Sequence, residues 1–454
     1  MEDAYVYVDD QSERFLEDLI RLCRQPSISA QKVGLTEMAA LTATVMGEYG
    51  LQARLLPNGN GAPVVYGFRE GRSARTLLFY DHYDVQPPEP LELWESPPFE
   101  LTVRDGKLYA RGVADNKANI LSRLAAVKAT LSTGRELPVS VKFVVEGEEE
   151  IGSPNLPQFV VDHRELLRAD ACLWESGGVN WLGQPNITLG LKGILYVELE
   201  ARGAVRDVHS SLATIVPNPA WRLVWALSSL KDRDENVLIS GFYDRVAPPS
   251  PRELEVVRAA PSEEEETREN LGLPGFLLGL SGFELKCRQL FAPTCTICGI
   301  WSGYTGEGGK TVLPSVARAK VDFRLVPHMT PEDILEKLRR HLTEKGFSDV
   351  TVVAREHGEY PARTPLDHPF VAVVQAAARQ VYGVEPVITP TMSGSGPMYP
   401  FTKVLGLPVA SAGTSYPDSR AHAPNENIRL EDFIRGTKHI IAIMERMKEV
   451  PPWS

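Results

Sequence analysis

The sequence predicts an α/β domain with a mixed, largely parallel sheet flanked by helices, interrupted by an inserted α+β domain. Three observations lead there. At 454 residues the chain is too long for one simple hydrophobic core. Short apolar runs alternate with helical patterns along its first part, as in α/β folds. Near Pro185 the character changes to residue-by-residue alternation, the mark of a half-buried strand in an open sheet.

The elements follow in chain order. A helix is predicted from Ser12 to Arg24, where Phe15, Leu16, Leu19, Ile20 and Cys23 form one stripe, and Pro26-Ser27-Ile28-Ser29 stops it. A second helix spans Leu35 to Tyr49, before Gly50. Strands are predicted at Thr76 to Tyr80, Val139 to Val145 and Ala171 to Trp174. Between the first two lies a helix from Lys117 to Leu131, with Ile120, Leu124, Val127 and Leu131 spaced for one face. In the second domain Leu195, Val197 and Leu199 alternate with Tyr196, Glu198 and Glu200. A helix at Asn218 to Ser229, strands at Thr294 to Trp301 and Ala317 to Leu325, a helix at Asp333 to Lys345 and a strand at Val350 to Arg355 complete it. Pro361 to His368 is the return linker. Helices at Pro369 to Tyr382 and Glu431 to Glu449, with a strand at Leu407 to Ala410, close the first domain. The expected division is residues 1–186 and 361–454 around an inserted unit of residues 187–360. Within that unit, residues 231–290 form an irregular insertion rich in proline, where Ser262 reads as a helix cap ahead of Glu263 to Glu266.

Composition narrows the function. Lys and Arg number 48 against 59 Asp and Glu, a net charge of −11, which argues against nucleic-acid binding. No run of about 18 apolar residues is present, so no membrane span is expected. The N-terminus lacks a secretory signal, and the odd, sparse set of cysteines at 23, 172, 287, 295 and 298 predicts a reduced, cytoplasmic protein. Cys295 and Cys298 lie three apart in a predicted strand, where they would point to opposite faces, so they read as packing residues.

Five places carry metal-ligand chemistry. Tyr80-Asp81-His82-Tyr83-Asp84 puts a histidine at the C-terminal end of a strand, with Asp84 on the same side and able to fix the imidazole tautomer. Asp115, in Arg111-Gly112-Val113-Ala114-Asp115-Asn116, stands where a helix cap would. Glu146-Gly147-Glu148-Glu149-Glu150 gathers carboxylates directly after a buried strand, where they repel one another unless a cation is present. Glu175 follows the run ending at Trp174, and His422 lies in Arg420-Ala421-His422-Ala423-Pro424-Asn425-Glu426, before the last helix. Each alone is consistent with a structural role. Five at strand-to-loop junctions of one α/β domain point to a metal site.

In this order the motifs resemble those of the co-catalytic metallopeptidases, family M-twenty. That family includes carnosinase, cytosolic non-specific dipeptidase, glutamate carboxypeptidase, and the desuccinylases and acylases of amino-acid metabolism. The resemblance runs from Gln25-Pro26-Ser27 to the His422 loop. It implies a catalytic domain interrupted by a lid and dimerisation domain, and two divalent ions, zinc foremost, with manganese or cobalt compatible. It also implies that His82 and Glu175 hold one ion, Glu150 and His422 the other, and that Asp115 bridges them. Glu149 would be the general base acting on a water shared by the ions, and Asp84 would support His82. His209, in Asp207-Val208-His209, would reach the site of a partner subunit and polarise the scissile carbonyl. Arg324, with Gly394 and Ser395, would take the substrate's terminal carboxylate.

Three departures stand out: Asp81 where many relatives have Gly, Asn116 where many have Asp, and Glu175 where dipeptidases commonly have Asp. The long lid insertion resembles the dipeptidase branch, whereas Glu175 resembles the carboxypeptidases and deacylases. The resemblance therefore implies amide hydrolysis of small peptides, with N-acyl amino acids as the alternative substrate. A non-catalytic binding role on this fold would call for a lost ligand or base, and none is missing.

Overall fold

The computed structural model describes residues 1–354 and 358–449. At its centre is a six-stranded sheet. In spatial order the strands are Gln52–Leu56, Val64–Arg69, Ser140–Glu146, Thr76–His82, Ala171–Trp174 and Val409–Ser411. The last four run parallel, and the first two extend the sheet through antiparallel pairings. Parallel strands are covered on both faces, which explains the continuous burial of Leu77 to His82. Leu77 and Phe79 enter one core with the helices Ser12–Arg24, Ala118–Ser132, Pro369–Tyr382 and Leu430–Met447. Leu78 and Tyr80 enter a second core on the opposite face, with Trp174, Met398 and Phe401.

The architecture matches the expected α/β class, and the misses have physical reasons. Gln52–Leu56 is an exposed edge strand with Arg54 on it, so it carries little apolar signal. Val64–Arg69 is interrupted by Gly67, where a Cβ would sit 2.9 Å from Met46 Sδ. The helix Glu2–Asp10 buries only Ala4 and Val8. The helix Ala118–Ser132 was expected to bury one face. Instead it is buried on nearly every side, Ser122 and Arg123 included, because it lies between the sheet, the N-terminal helices and Leu430–Met447.

The chain leaves this unit at Gly190–Leu191 and returns at Ala362–Arg363, and the two segments pair antiparallel. Between them lies a four-stranded antiparallel sheet in the order Thr296–Ser302, Val316–Leu325, Gly193–Arg202, Thr351–Ala354. Its alternate residues, from Leu195 to Ala201 and from Ala317 to Leu325, form a separate core. The strand expected to reach Arg355 is described to Ala354, and Arg355 lies outside the described residues.

The 231–290 insertion holds the helices Pro251–Ala259, Glu264–Asn270 and Gly282–Phe291. Ser262 does not cap. Glu263 takes the N-cap position, and the carboxylates of this turn serve tertiary contacts. Glu263 Oε1 accepts the Trp181 N–H at 3.1 Å, and Glu264 Oε2 accepts that of Gly282 at 2.6 Å. Cys295 is buried and Cys298 exposed beside Asp322, and all five cysteines are free. Among the described residues no helix is long and apolar enough to cross a membrane.

Phe143 is fully buried mid-sheet, its ring centroid 4.6 Å from that of Phe79. Phe143→Ala is expected to lower unfolding stability by about 3–5 kcal/mol. Urea unfolding of the two proteins side by side checks this; an unchanged midpoint would contradict it.

Candidate metal centre

The four parallel strands end at one edge of the sheet, the edge where open α/β sheets place their ligands. Thr76–His82 delivers His82 as its last residue, and Glu175 follows directly after Ala171–Trp174. Ser140–Glu146 leads into the short turn Glu149–Ile151. Asp115 comes from the turn Val113–Lys117, and His422 from the loop preceding Asn427–Arg429.

Asp115 does not cap the following helix. Its backbone is non-helical, with φ −129° and ψ 83°. Its two oxygens face different histidines: Oδ1 lies 2.9 Å from His82 Nε2, and Oδ2 lies 3.1 Å from His422 Nε2. Each imidazole also meets a second carboxylate. Glu175 Oε2 is 3.3 Å from His82 Nε2, and Glu150 Oε2 is 3.1 Å from His422 Nε2. His82, Asp115 and Glu150 offer ligand atoms within 4.8 Å of one another.

The surrounding polar groups hold this arrangement. His82 Nδ1 lies 3.1 Å from the Asp84 carbonyl oxygen and 3.5 Å from its carboxylate, so the carbonyl is the nearer acceptor. The Asp84 carboxylate instead accepts the backbone N–H groups of Glu149 at 3.2 Å and Glu150 at 3.0 Å. Gln86 Nε2 donates to Glu150 Oε2 at 2.9 Å. Asn116 Nδ2 points at Glu175 Oε2, 3.4 Å away. The turn carrying Asp115 is clamped from far along the chain by Glu426. That buried carboxylate accepts N–H groups from Gly112, Ala114 and Asp115 at 2.8, 2.9 and 3.0 Å, and it pairs with Arg111 at 2.7 Å.

Electrostatics define what the cluster accepts. Burial pushes the Glu175 carboxyl up to about 8, with Asp115 and Asp81 adding to the effect. Burial and the neighbouring charges of Glu175, Glu150 and Asp115 push Glu149 well above the usual carboxylate range. Hydrogen bonds to Asp115 and Glu150 raise His422 to about 10. Both Glu149 and Glu175 are thus short of positive charge, and the buried Glu150 Oε1 has no hydrogen-bond partner. A divalent cation answers both deficits. Carboxylate oxygens with imidazole nitrogens are a donor set that suits zinc or manganese.

The remaining residues singled out in the sequence fall into two groups. Arg324 Nη1 donates to Ser395 Oγ at 2.9 Å, and the Gly394 carbonyl accepts the Lys192 N–H at 3.0 Å. A Cβ placed on the next residue, Gly396, would lie 3.7 Å from Glu149 Oε1, so this loop borders the cluster. The Lys192 ammonium in turn donates to the carbonyls of Gln289 and Ala292, at the end of the helix Gly282–Phe291. His209 is exposed, and its ring nitrogens meet Ser211 and Thr311 at 2.8 and 3.5 Å. Those contacts lie within its own unit, away from the five clustered residues.

Comparison with known proteins bears on this geometry. A family model described as Peptidase family M20/M25/M40 matches residues 78–446. The chain is 29% identical to a human Beta-Ala-His dipeptidase, covering 99% of this chain and 93% of that protein. It is 28% identical to the Cys-Gly metallodipeptidase dug1 of Schizosaccharomyces pombe, covering 100% and 99%. The crystal structure of an M20 family metallo-carboxypeptidase from Sulfolobus solfataricus superposes with a TM-score of 0.92 at 38% identity, over 96% of this chain and 99% of that one.

The Glu426 clamp yields a prediction. Glu426→Ala leaves the buried Arg111 without its partner and is expected to cost about 3–5 kcal/mol. Denaturant unfolding of metal-free protein measures it. A change under about 1 kcal/mol would mean that water replaces the clamp.

Proposed function

The chain belongs to peptidase family M20/M25/M40, and from that membership we propose that it is a metal-dependent hydrolase of dipeptides or of the C-terminal residues of small peptides. The observation that carries the reading is Asp115 standing between two imidazole–carboxylate pairs. The dipeptidase and carboxypeptidase relatives support the substrate class, since their substrates share a free terminal carboxylate.

His82, Glu175 and one Asp115 oxygen would hold one divalent cation, and Glu150, His422 and the other Asp115 oxygen a second. Zinc fits this donor set best. When bound, the cations polarise the scissile carbonyl and lower the pKa of the attacking water. Glu149 accepts that water's proton on its carboxylate and returns it to the leaving amine nitrogen. Its position beside the 394–396 loop supports this role. Arg324, already aimed at Ser395, pairs with the substrate's terminal carboxylate, while Gly394 and Ser395 leave room for it. Asp84 keeps Glu149 and Glu150 in place through their backbone.

The reading includes a homodimer formed through the 187–360 unit. Trp221, Val224 and Trp225 on the helix Pro219–Ser228 are exposed, as are Ile297, Ile300 and Trp301 on the edge strand Thr296–Ser302. Pairing of two copies would cover this apolar surface. It would also bring His209 into the partner's site, to polarise the carbonyl under attack.

Two measurements test the proposal. Purified wild type and Glu149→Ala should both carry two metal ions per chain. Dipeptide turnover should fall by about 10²–10⁴ in the variant alone. No metal and no activity after adding zinc or manganese would overturn the reading, and turnover confined to N-acyl amino acids would move it to deacylation. For the dimer, light scattering should show two chains. Mixing His209→Ala with Glu149→Ala should then restore part of the activity, and mixtures as inactive as their components would rule out shared sites.

A further inference from the structure

Arg123 lies fully buried on the helix Ala118–Ser132, far from any surface that would explain a charge. Its Nη1 donates to the Tyr80 carbonyl at 2.7 Å, and its Nη2 to the Trp174 carbonyl at 2.5 Å. It also forms an ion pair with Asp81, which is equally buried. These partners occupy one particular place. The strands Thr76–His82 and Ala171–Trp174 pair from Leu77 with Ala171 to Phe79 with Leu173, and there the ladder ends. Beyond it no further pairing joins these two strands, while Tyr80 still pairs with Val144 and Trp174 with Ser411 on their outer sides. The guanidinium bridges the two strand ends where their own ladder stops. Glu175 is the next residue on one side, and Asp81 and then His82 follow on the other. Arg123 itself sits on the helix that continues from the Asp115 turn.

We infer that Arg123, neutralised by Asp81, is a positioning residue that sets the mutual placement of His82, Glu175 and Asp115. It thereby sets the affinity of the cation position those three residues form. The inference rests on the proposed roles of those three side chains. Arginine is the side chain for this task, because its planar fork serves two carbonyls and a carboxylate at once, whereas a lysine ammonium is a point charge on a flexible stem. Asp81 answers the cost of burying that charge.

The test is zinc titration of metal-free protein against a chromophoric chelator, together with melting of the metal-free proteins. The proteins are wild type, Arg123→Lys, Arg123→Met and the double variant Asp81→Asn/Arg123→Met. A buried pair removed as a whole costs far less stability than one partner removed alone. The double variant should therefore melt closer to wild type than Arg123→Met does, yet bind one of its two zinc ions about tenfold or more weakly. Arg123→Lys, which keeps the charge, should show the same selective weakening. Wild-type affinity for both ions in the double variant or in Arg123→Lys would overturn the inference and leave the pair a purely structural one. Failure of the wild type itself to bind zinc would instead remove the metal assignment on which the inference stands.

Discussion

Asp115, Glu149, Glu150 and Glu175 bring four carboxylates to one partly buried sheet edge, and their mutual repulsion is the constraint that organises the structure around them. Two like charges about 4 Å apart repel by about 4 kcal/mol at an effective dielectric near 20. A few such pairs would rival the whole net stability of a domain, about 5–15 kcal/mol. Without a cation, the raised Glu149 and Glu175 carboxyls relieve part of that repulsion by keeping their protons. The chain answers with fixed donors. Asp84 grips the backbone of Glu149 and Glu150, Gln86 holds Glu150, and Glu426 grips the backbone ahead of Asp115. Two imidazoles offset part of the charge. The remaining deficit is what draws a cation, and fixed backbone keeps the carboxylates from swinging apart to relieve it.

Much of this was legible in the sequence because parallel strands are continuous apolar runs and their carboxyl ends are where chemistry sits. Thr76–His82 and Ala171–Trp174 announced themselves, and with them His82 and Glu175. The residues that hold the ligands were harder to see. Glu426 lies in the same loop as His422, yet nothing in its neighbours signals that its partners are Gly112 and Ala114. Arg123 sits in a helix whose spacing suggested one apolar face, and that pattern gave no signal of a buried arginine. Asp84 was expected to orient His82 through its carboxylate; its carbonyl is nearer, and the carboxylate serves another strand's turn. Long-range polar contacts of this kind have no period, and periodicity is what a single sequence displays.

The inserted unit contributes to the site by a different route. Lys192 stands where the chain crosses between the two sheets, its N–H on Gly394 and its ammonium on the end of the helix Gly282–Phe291. The irregular 231–290 segment is therefore tied, through one side chain, to the loop that carries Ser395. Arg324 reaches the same loop from the antiparallel sheet. The loop bordering Glu149 is thus fixed from both units, so any shift of one against the other must displace it.

The Glu426 clamp has a consequence for how the molecule is made. It joins groups 311 residues apart in the chain. A ribosome has therefore released the His82, Asp115 and Glu175 segments, and the whole intervening sheet, before the residue that shapes the Asp115 turn exists. His422 emerges just ahead of it. The constellation is completed only once the residues through 426 are available to fold, and a nascent chain short of them lacks both His422 and the turn geometry. Contacts of such sequence separation also slow folding, since loop closure must precede their reward.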